Sequence, residues 1–351
     1  MRRVRPHTVE AGSDVTTIRD IASEAGVSVS TVSRVLAGHP DVSPATAATV
    51  HSVIERHQFV VNRNARNLKR GATSAVLVMV KGRHNMLFAS MLEHVQAAVT
   101  AAGRTVVPAY LDEDGNEVAE AERLVAEVKP QGVIFLGGDA GHVASHARRI
   151  GPDCPAVVLT NSVTEAGRPA VSSVTTDDRA SSRAAVAYLL ARGHRRLGII
   201  GGNPEQSVMS RHRQEGVVAA LAEAGLSLEP SHYVATRFSL ASGYDAAVHL
   251  LATAPEVTAV YAMSDIMALG ALRALHERGR HVPDDISLIG HDGIDMAAYA
   301  VPRLTTVCQP QEAMAARGVD ILMRHLGGDP TPVDEFVPTV IIDGESVRPL
   351  A

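Results

Sequence analysis

The stretch Thr17–Leu36, TIRDIASEAGVSVSTVSRVL, constrains what this chain can fold into more than any other. Two short amphipathic segments flank one glycine. Thr17, followed three residues later by Asp20, is a capping box that opens a first helix. Ile18, Ile21, Ala22 and Ala25 then recur on one helical face. Gly26 stands where the connecting turn needs a permissive backbone. Ser28 caps a second helix, whose Val32, Val35 and Leu36 point back to the first. The pattern predicts a helix-turn-helix with Val29, Ser30, Ser33 and Arg34 facing outward. Short side chains near a helix N-terminus, with one arginine a turn later, suit a helix laid into the DNA major groove. A helical hairpin with a solvated outer face has the same periodicity, so periodicity alone leaves both readings open.

Ser43 as N-cap and Pro44 at the first helical position predict a third helix. Its Val50, Val53 and Ile54 return at helical spacing, to pack on the first two. The head is expected to run over residues 15–60, a size at which independent stability is marginal. The segment that follows, NRNARNLKR at Asn62–Arg70, is basic and nearly without a core face. As an isolated peptide it would not hold a helix. Through Gly71 the chain has ten basic against six acidic residues, and beyond it 23 against 32. A basic head on an acidic body fits a polyanion-binding module joined to a domain with another task.

AGVSVSTVSRVL, the third helix and NRNARNLKRG together resemble the lac-repressor (LacI/GalR) family of bacterial transcription regulators. The resemblance extends through nearly the whole chain. It implies that the head reads half of a pseudo-palindromic operator in double-stranded DNA, with Thr17, Ser28, Val29, Ser30, Thr31, Ser33 and Arg34 as candidate contacts. It further implies that residues 61–72 form a hinge helix that folds only on specific DNA. Paired in a homodimer, two such helices would enter the minor groove. Leu68 matches the wedge that kinks the duplex, and Ala65 the small residue of the helix–helix contact. Arg63, Arg66, Lys69 and Arg70 would reach phosphates, and Asn62 is a further candidate DNA contact.

From Ser74 the chain alternates apolar strands with amphipathic helices. Strands are predicted at 75–80, 105–110, 133–137 and 156–160, then at 197–200, 233–235, 259–263 and 287–290. Helices are predicted at 88–102, 117–129, 142–150, 179–192, 211–224, 242–252 and 266–278. Continuous apolar strands between helices mean parallel sheets covered on both faces, and two such runs mean two doubly wound α/β lobes. Ligands of this architecture bind outside the carboxyl ends of the strands, which places a small-molecule site in the cleft between the lobes. The resemblance implies a periplasmic-binding-protein-like core over 73–351 with three crossings between lobes, expected here near Ser173, Pro302 and Asp329. The first lobe would then hold 73–173 and 303–329, including the helix 312–326, and the second 174–302 and 330–351, including the stretch 337–342.

Several strand-end residues match the family's effector contacts. Arg213 matches an arginine that forks onto ligand hydroxyls or carboxylate, Asp292 an acidic acceptor from sugar hydroxyls, and Phe238 an aromatic that packs on the ligand ring. Phe88 and Gln309 are first-lobe candidates. Thr160 or Asn161 stands where some sugar-binding members carry an aspartate. Asp265, at a strand end and a helix N-terminus, serves either as a ligand contact or as the cap of its helix. A sugar-like effector is expected over a purine.

Other functions lose their motifs. Neither FLGGDAG (Phe135–Gly141) nor LGIIGGNP (Leu197–Pro204) is a dinucleotide fingerprint, and no G-x-S-x-G elbow is present. No catalytic set, cofactor or metal is expected. Cys154 and Cys308 match no zinc spacing and are expected as buried free thiols. A sugar-binding transport protein would share the body. The head argues against that reading, as does the polar sequence after Arg2, Arg3 and Arg5, where an apolar signal segment would stand. No apolar run is long enough for a membrane span, and a cytoplasmic location is expected. Without a leucine-heptad tail before Ala351, a dimer is expected instead of a coiled-coil tetramer.

Overall fold

The computed structural model describes residues 18–36, 41–57, 74–82, 85–150, 153–163 and 171–350. Contacts divide the chain into two units, 1–71 and 72–351. In the first unit, α1 (Ile18–Glu24), α2 (Val29–Leu36) and α3 (Pro44–Arg56) enclose a small core. Ile21, Ala22, Val32, Val35, Val50 and Val53 are buried there, with Leu36, Val42 and Ile54 packed against them. The helical spacing of these residues in the sequence makes that core. Gly26 takes φ +66° at the turn, a conformation an L side chain adopts only at a cost. Ser43 caps α3 by accepting from the Thr46 amide, with Pro44 behind it. Glu24 on α1 holds both Arg56 and His57 at the end of α3. Thr17, Asn62, Arg63, Ala65, Arg66 and Leu68 lie outside the described residues.

The second unit holds two sheets of identical strand order. The first sheet runs β2 (Thr105–Leu111), β1 (Ala75–Lys81), β3 (Gly132–Leu136), β4 (Ala156–Leu159), β5 (Ser172–Thr175), β11 (Asp334–Phe336). The second runs β7 (Tyr233–Ala235), β6 (Leu197–Gly201), β8 (Ala259–Ala262), β9 (Ser287–Asp292), β10 (Thr305–Cys308), β12 (Val340–Ile342). Every pairing is parallel except β10 with β12. Strand β1, AVLVMVK, has six consecutive buried residues, as a central parallel strand covered on both faces requires.

One face of the first sheet is covered by α4 (Met86–Ala101) and α13 (Gln311–Leu326), whose Met91, Val95, Met314 and Leu322 share one core. The other face carries α5 (Glu117–Val128), α6 (Ala140–Ser145) and α7 (Ala147–Ile150). In the second lobe α8 (Asp178–Ala191) and α9 (Val208–Glu223) cover one face. The opposite face carries α10 (Leu240–Thr253), α11 (Asp265–Glu277) and the short α12 (Asp295–Tyr299). Among the described residues no helix is long and apolar enough to cross a membrane.

The lobe boundaries differ from the expected ones. Strand β5 and strand β11 belong to the first sheet and β10 to the second, so the crossings fall at 176–177, 309–310 and 337–339. They were expected near Ser173, Pro302 and Asp329. Residues 174–175 and 334–336 therefore lie in the first lobe, and 305–308 in the second. The reason is chemical: these three strands are three or four residues long and rich in Ser, Thr and Asp. In β5 and β10 the polar side chains are buried, and in β11 half-buried, with hydrogen-bond partners inside the lobes. Ser172 Oγ lies 2.8 Å from His325 Nε2, Ser173 donates to Asp334, and Thr306 Oγ1 donates to Asp265. Helix α13 does sit on the first lobe and β12 in the second, as expected.

Candidate functional site

Two surfaces carry the candidate residues. In the head, Ser28 caps α2: its Oγ accepts from the Thr31 amide at 3.1 Å and lies 2.7 Å from Ser30 Oγ. Val32 and Val35 face the core, while Val29, Ser30, Ser33 and Arg34 are exposed along the outer face. The face expected to read bases is thus presented as predicted, with Thr31 half-buried beside it.

In the body, a cleft of about 1370 Å³ opens between the lobes at the carboxyl ends of their strands. Both sheets reverse their winding between their first and third strands, β1/β3 and β6/β8, where doubly wound sheets take ligands. Phe88, Thr160, Asn161, Arg213, Phe238, Asp292 and Gln309 all line this cleft. Asp265 does not. Its fully buried carboxylate accepts from the Gly293 amide at 2.7 Å, the Ile294 amide at 2.9 Å and Thr306 Oγ1 at 2.6 Å, clamping the turn after β9 onto β10. Nor does it cap α11; Ser264 does, accepting from the Met267 amide. Asp265 is a buried brace behind Asp292 because β8, which leads into it, pairs with β9, which leads into the turn it holds. Burial and the charge of Asp292 push its carboxyl up to about 8.

Arg213 stands at the centre of the second-lobe wall, only 4% exposed. Its Nε donates to Asp178 Oδ1 at 2.8 Å, its Nη1 donates to the Met263 carbonyl, and Asp292 Oδ1 lies 3.9 Å away. Burial opposes the guanidinium charge, but Asp178 and Asp292 more than offset that and hold its pKa above the usual value. Burial raises Asp292 to about 7 against the pull of Arg213, and raises Asp178 as well. Asp292 is held at φ +118°, a strained backbone for a non-glycine residue, so its carboxylate leaves the strand end toward the cleft. Gln309 fixes it: Nε2 donates to Asp292 Oδ1 at 2.8 Å, and Oε1 accepts from Thr176 Oγ1 at 3.4 Å. Gln309 and Thr176 belong to two of the three crossing segments, so the anchor for Asp292 is built from the hinge itself. Beneath, Ser182, Tyr261 and His291 form a buried chain at 2.9 and 2.7 Å. Burial and the Arg213 charge keep the His291 imidazole neutral by pushing its pKa far down.

The first-lobe wall is built differently. Lys81 Nζ, at the end of β1, donates to Glu117 Oε2 at 2.7 Å, and Glu117 also accepts from the Asp139 amide at 2.8 Å. Burial raises the Glu117 pKa, but Lys81 and the backbone donors outweigh it and leave it below the usual value. Asn161 Nδ2 donates to the Gly138 carbonyl at 2.7 Å, bracing the neighbouring strand-end loop. Each lobe seats one phenylalanine on a glycine. A Cβ at Gly137 would meet the Phe88 ring at 2.7 Å, and one at Gly202 the Phe238 ring at 2.8 Å. Two buried hydroxyls, Thr160 Oγ1 and Ser210 Oγ, have no protein partner. Sequence reasoning missed Asp178, Lys81 and Glu117. The one signal available was the pair Asp177–Asp178 at a helix start, where a single aspartate suffices as cap.

Comparison with known proteins agrees with both units. Residues 17–62 match the family described as bacterial regulatory proteins, lacI family, and residues 186–347 the periplasmic binding protein-like domain. The chain is 33% identical over 335 residues to the HTH-type transcriptional regulator MalR of Clostridium butyricum, which spans 94% of this chain and 98% of that protein. It is 29% identical over 310 residues to catabolite control protein A of Priestia megaterium, over 88% and 92% of the two chains. Among solved structures, the regulator CelR in complex with cellobiose matches with a TM-score of 0.70 and 30% identity, over 94% of this chain and 99% of that one. The lac repressor dimer bound to operator and an anti-inducer matches with a TM-score of 0.81 and 25% identity, over 95% and 99%. A helix-turn-helix joined to a periplasmic-binding-protein-like core is the layout of a transcription regulator, and the chain belongs to the lacI family of bacterial regulatory proteins. It is a DNA-binding transcription regulator and not an enzyme.

Proposed function

We propose that the chain is a repressor that binds a pseudo-palindromic operator as a homodimer and answers to a sugar-like effector in the interlobe cleft. The carrying observation is that Arg213 on α9, Asp292 at the end of β9 and Phe238 in the loop after β7 line the second-lobe side of a cleft that Phe88 of the first lobe also lines. A fork of donors, a carboxylate acceptor and two aromatic faces are what a polyhydroxylated ring requires. The sugar bound by CelR and the operator bound by the lac repressor dimer support the same reading. Effector acts by favouring one closure state of the lobes over the other, and only that difference in affinity can shift DNA binding. The hinge segment 61–72 supplies Leu68 as the minor-groove wedge, and the protein works in the cytoplasm.

Selection from random duplex DNA with the purified full chain tests the reading. Enrichment of a two-fold symmetric site with a flexible central step is expected; an asymmetric site or no enrichment contradicts it. On the selected duplex, Arg34→Ala should cost about 1–3 kcal/mol and relax preference at one base pair of each half-site. Unchanged affinity in an anisotropy titration removes Arg34 from the interface.

A further inference from the structure

The cleft's charges are already engaged. Lys81 is paired with Glu117, Arg213 with Asp178, Arg179 with Glu215 and Arg237 with Glu113 and Asp114. The helix N-termini that open onto the cleft are the other places where an anion would settle. Those of α4, α6, α8, α9 and α10 are each closed by their own side chain: Asn85, Asp139, Asp177, Ser207 and Ser239. Two of these caps are carboxylates, so a phosphate there would meet like charge. Among the acidic groups, Glu113 and Asp114 are held by Arg237, while Asp292 is held by Gln309 through one oxygen and lies 3.9 Å from the Arg213 guanidinium, so a cationic ligand there would meet like charge where a neutral hydroxyl donor would not.

Size points the same way. About 1370 Å³ exceeds the roughly 300–1,000 Å³ of ordinary small-ligand sites. A third phenylalanine, Phe336 on β11, is half-exposed at the cleft where the first lobe meets the third crossing. With buried Phe88 and half-buried Phe238 it makes three aromatic side chains in the cleft lining, of which Phe336 offers the most open face. Thr160 Oγ1 and Ser210 Oγ leave one unpartnered hydroxyl in each wall.

From these observations, and resting on the effector reading above, we infer that the cleft takes an uncharged oligosaccharide of at least two rings and discriminates against phosphorylated sugars, nucleotides and single hexoses. Selectivity against anions comes from the pairing of each described lining lysine and arginine with a carboxylate, and length selectivity from Phe336.

Isothermal titration of the full chain tests this with glucose, maltose, maltotriose, cellobiose, cellotriose, lactose, xylobiose, glucose 6-phosphate, maltose 6′-phosphate, cellobiose 6′-phosphate, AMP and spermidine. At least one neutral di- or trisaccharide should bind tenfold or more tighter than glucose and than any charged member of the set. Phe336→Ala, on an exposed side chain, should weaken that oligosaccharide tenfold and narrow its advantage over glucose. A phosphorylated sugar, AMP or spermidine as the tightest binder overturns the inference, as does glucose binding equally well. Failure of every neutral oligosaccharide also overturns it. The regulator reading is judged separately, by DNA selection without ligand: a symmetric site recovered there leaves it standing.

Discussion

The two lobes share one strand order and differ in how they carry charge. The first lobe's wall holds one ion pair, Lys81–Glu117, whose carboxylate has two donors and stays below its ordinary pKa. The second lobe buries one guanidinium among Asp178 and Asp292, with Asp265 close behind, and all three carboxyls are raised. One topology therefore supports two electrostatic designs. The first is satisfied at neutral pH. The second buries more acid than base and favours protonation. On the proposed function, a ligand hydroxyl that donates to Asp292 would relieve that excess, and the second lobe would be the wall where binding energy is gained.

The largest effect that could break this contrast is at Arg213. Arg213→Ala leaves two buried carboxylates without their cation and should cost the body about 3–5 kcal/mol of stability. The loss should be smaller at pH 5, where the carboxyls bind protons, than at pH 8. Denaturant unfolding at both values checks it, and equal losses would show that Asp178 and Asp292 are not ionised against Arg213.

The second effect is the pH profile of the native protein. Asp265 and Asp292 have raised pKa values, so their contribution is fully present below the ordinary aspartate range and is lost as pH rises through about 7 and 8. Glu117 is lowered, so its contribution is present above the ordinary glutamate value and is lost as pH falls below it. Between pH 5 and 8, hydrogen exchange should therefore show the second lobe loosening by on the order of a few kcal/mol while the first holds steady. Asp265→Asn keeps an acceptor for the Gly293 and Ile294 amides and should flatten the second lobe's slope. A slope unchanged in that variant would assign it elsewhere.

Lys81→Met comes third. Glu117 keeps its bond from the Asp139 amide, so the cost should be about 1–3 kcal/mol, below that of Arg213→Ala. A greater loss than at Arg213 would invert the comparison. The smallest effect belongs to Arg237, whose pairing with Glu113 and Asp114 joins the two lobes at the exposed cleft mouth. At about 0.15 M salt such charges are largely screened. Arg237→Ala should leave the melting temperature unchanged and speed ligand release in stopped-flow measurements. An unchanged release rate would deny the pair any part in closure.

The alternation of apolar strands and helices made the two lobes readable from sequence, and the spacing of Val32, Val35, Val50 and Val53 did the same for the head. What stayed hidden was short or polar. The strands SSVT, TTVC and DEF carry no apolar run, so their sheet membership, and with it the crossings, became visible only through the partners of Ser172, Ser173 and Thr306. At the cleft, Arg213, Asp292 and Phe238 were legible because they resemble family positions. Asp178 and Glu117 were not, because their roles depend on helices that only the tertiary fold brings beside Arg213 and Lys81. Asp265 was misplaced because a strand end faces either the cleft or the core, and only its three donors decide which.

The most direct test of coupling between cleft and DNA is an anisotropy titration of the selected operator duplex at fixed salt, with and without the tightest-binding oligosaccharide at saturation. A ligand that distinguishes the two closure states should change the operator Kd by about 5–150-fold. An identical Kd in the presence of bound sugar would contradict the switch, leaving a DNA-binding head and a sugar-binding body that do not communicate.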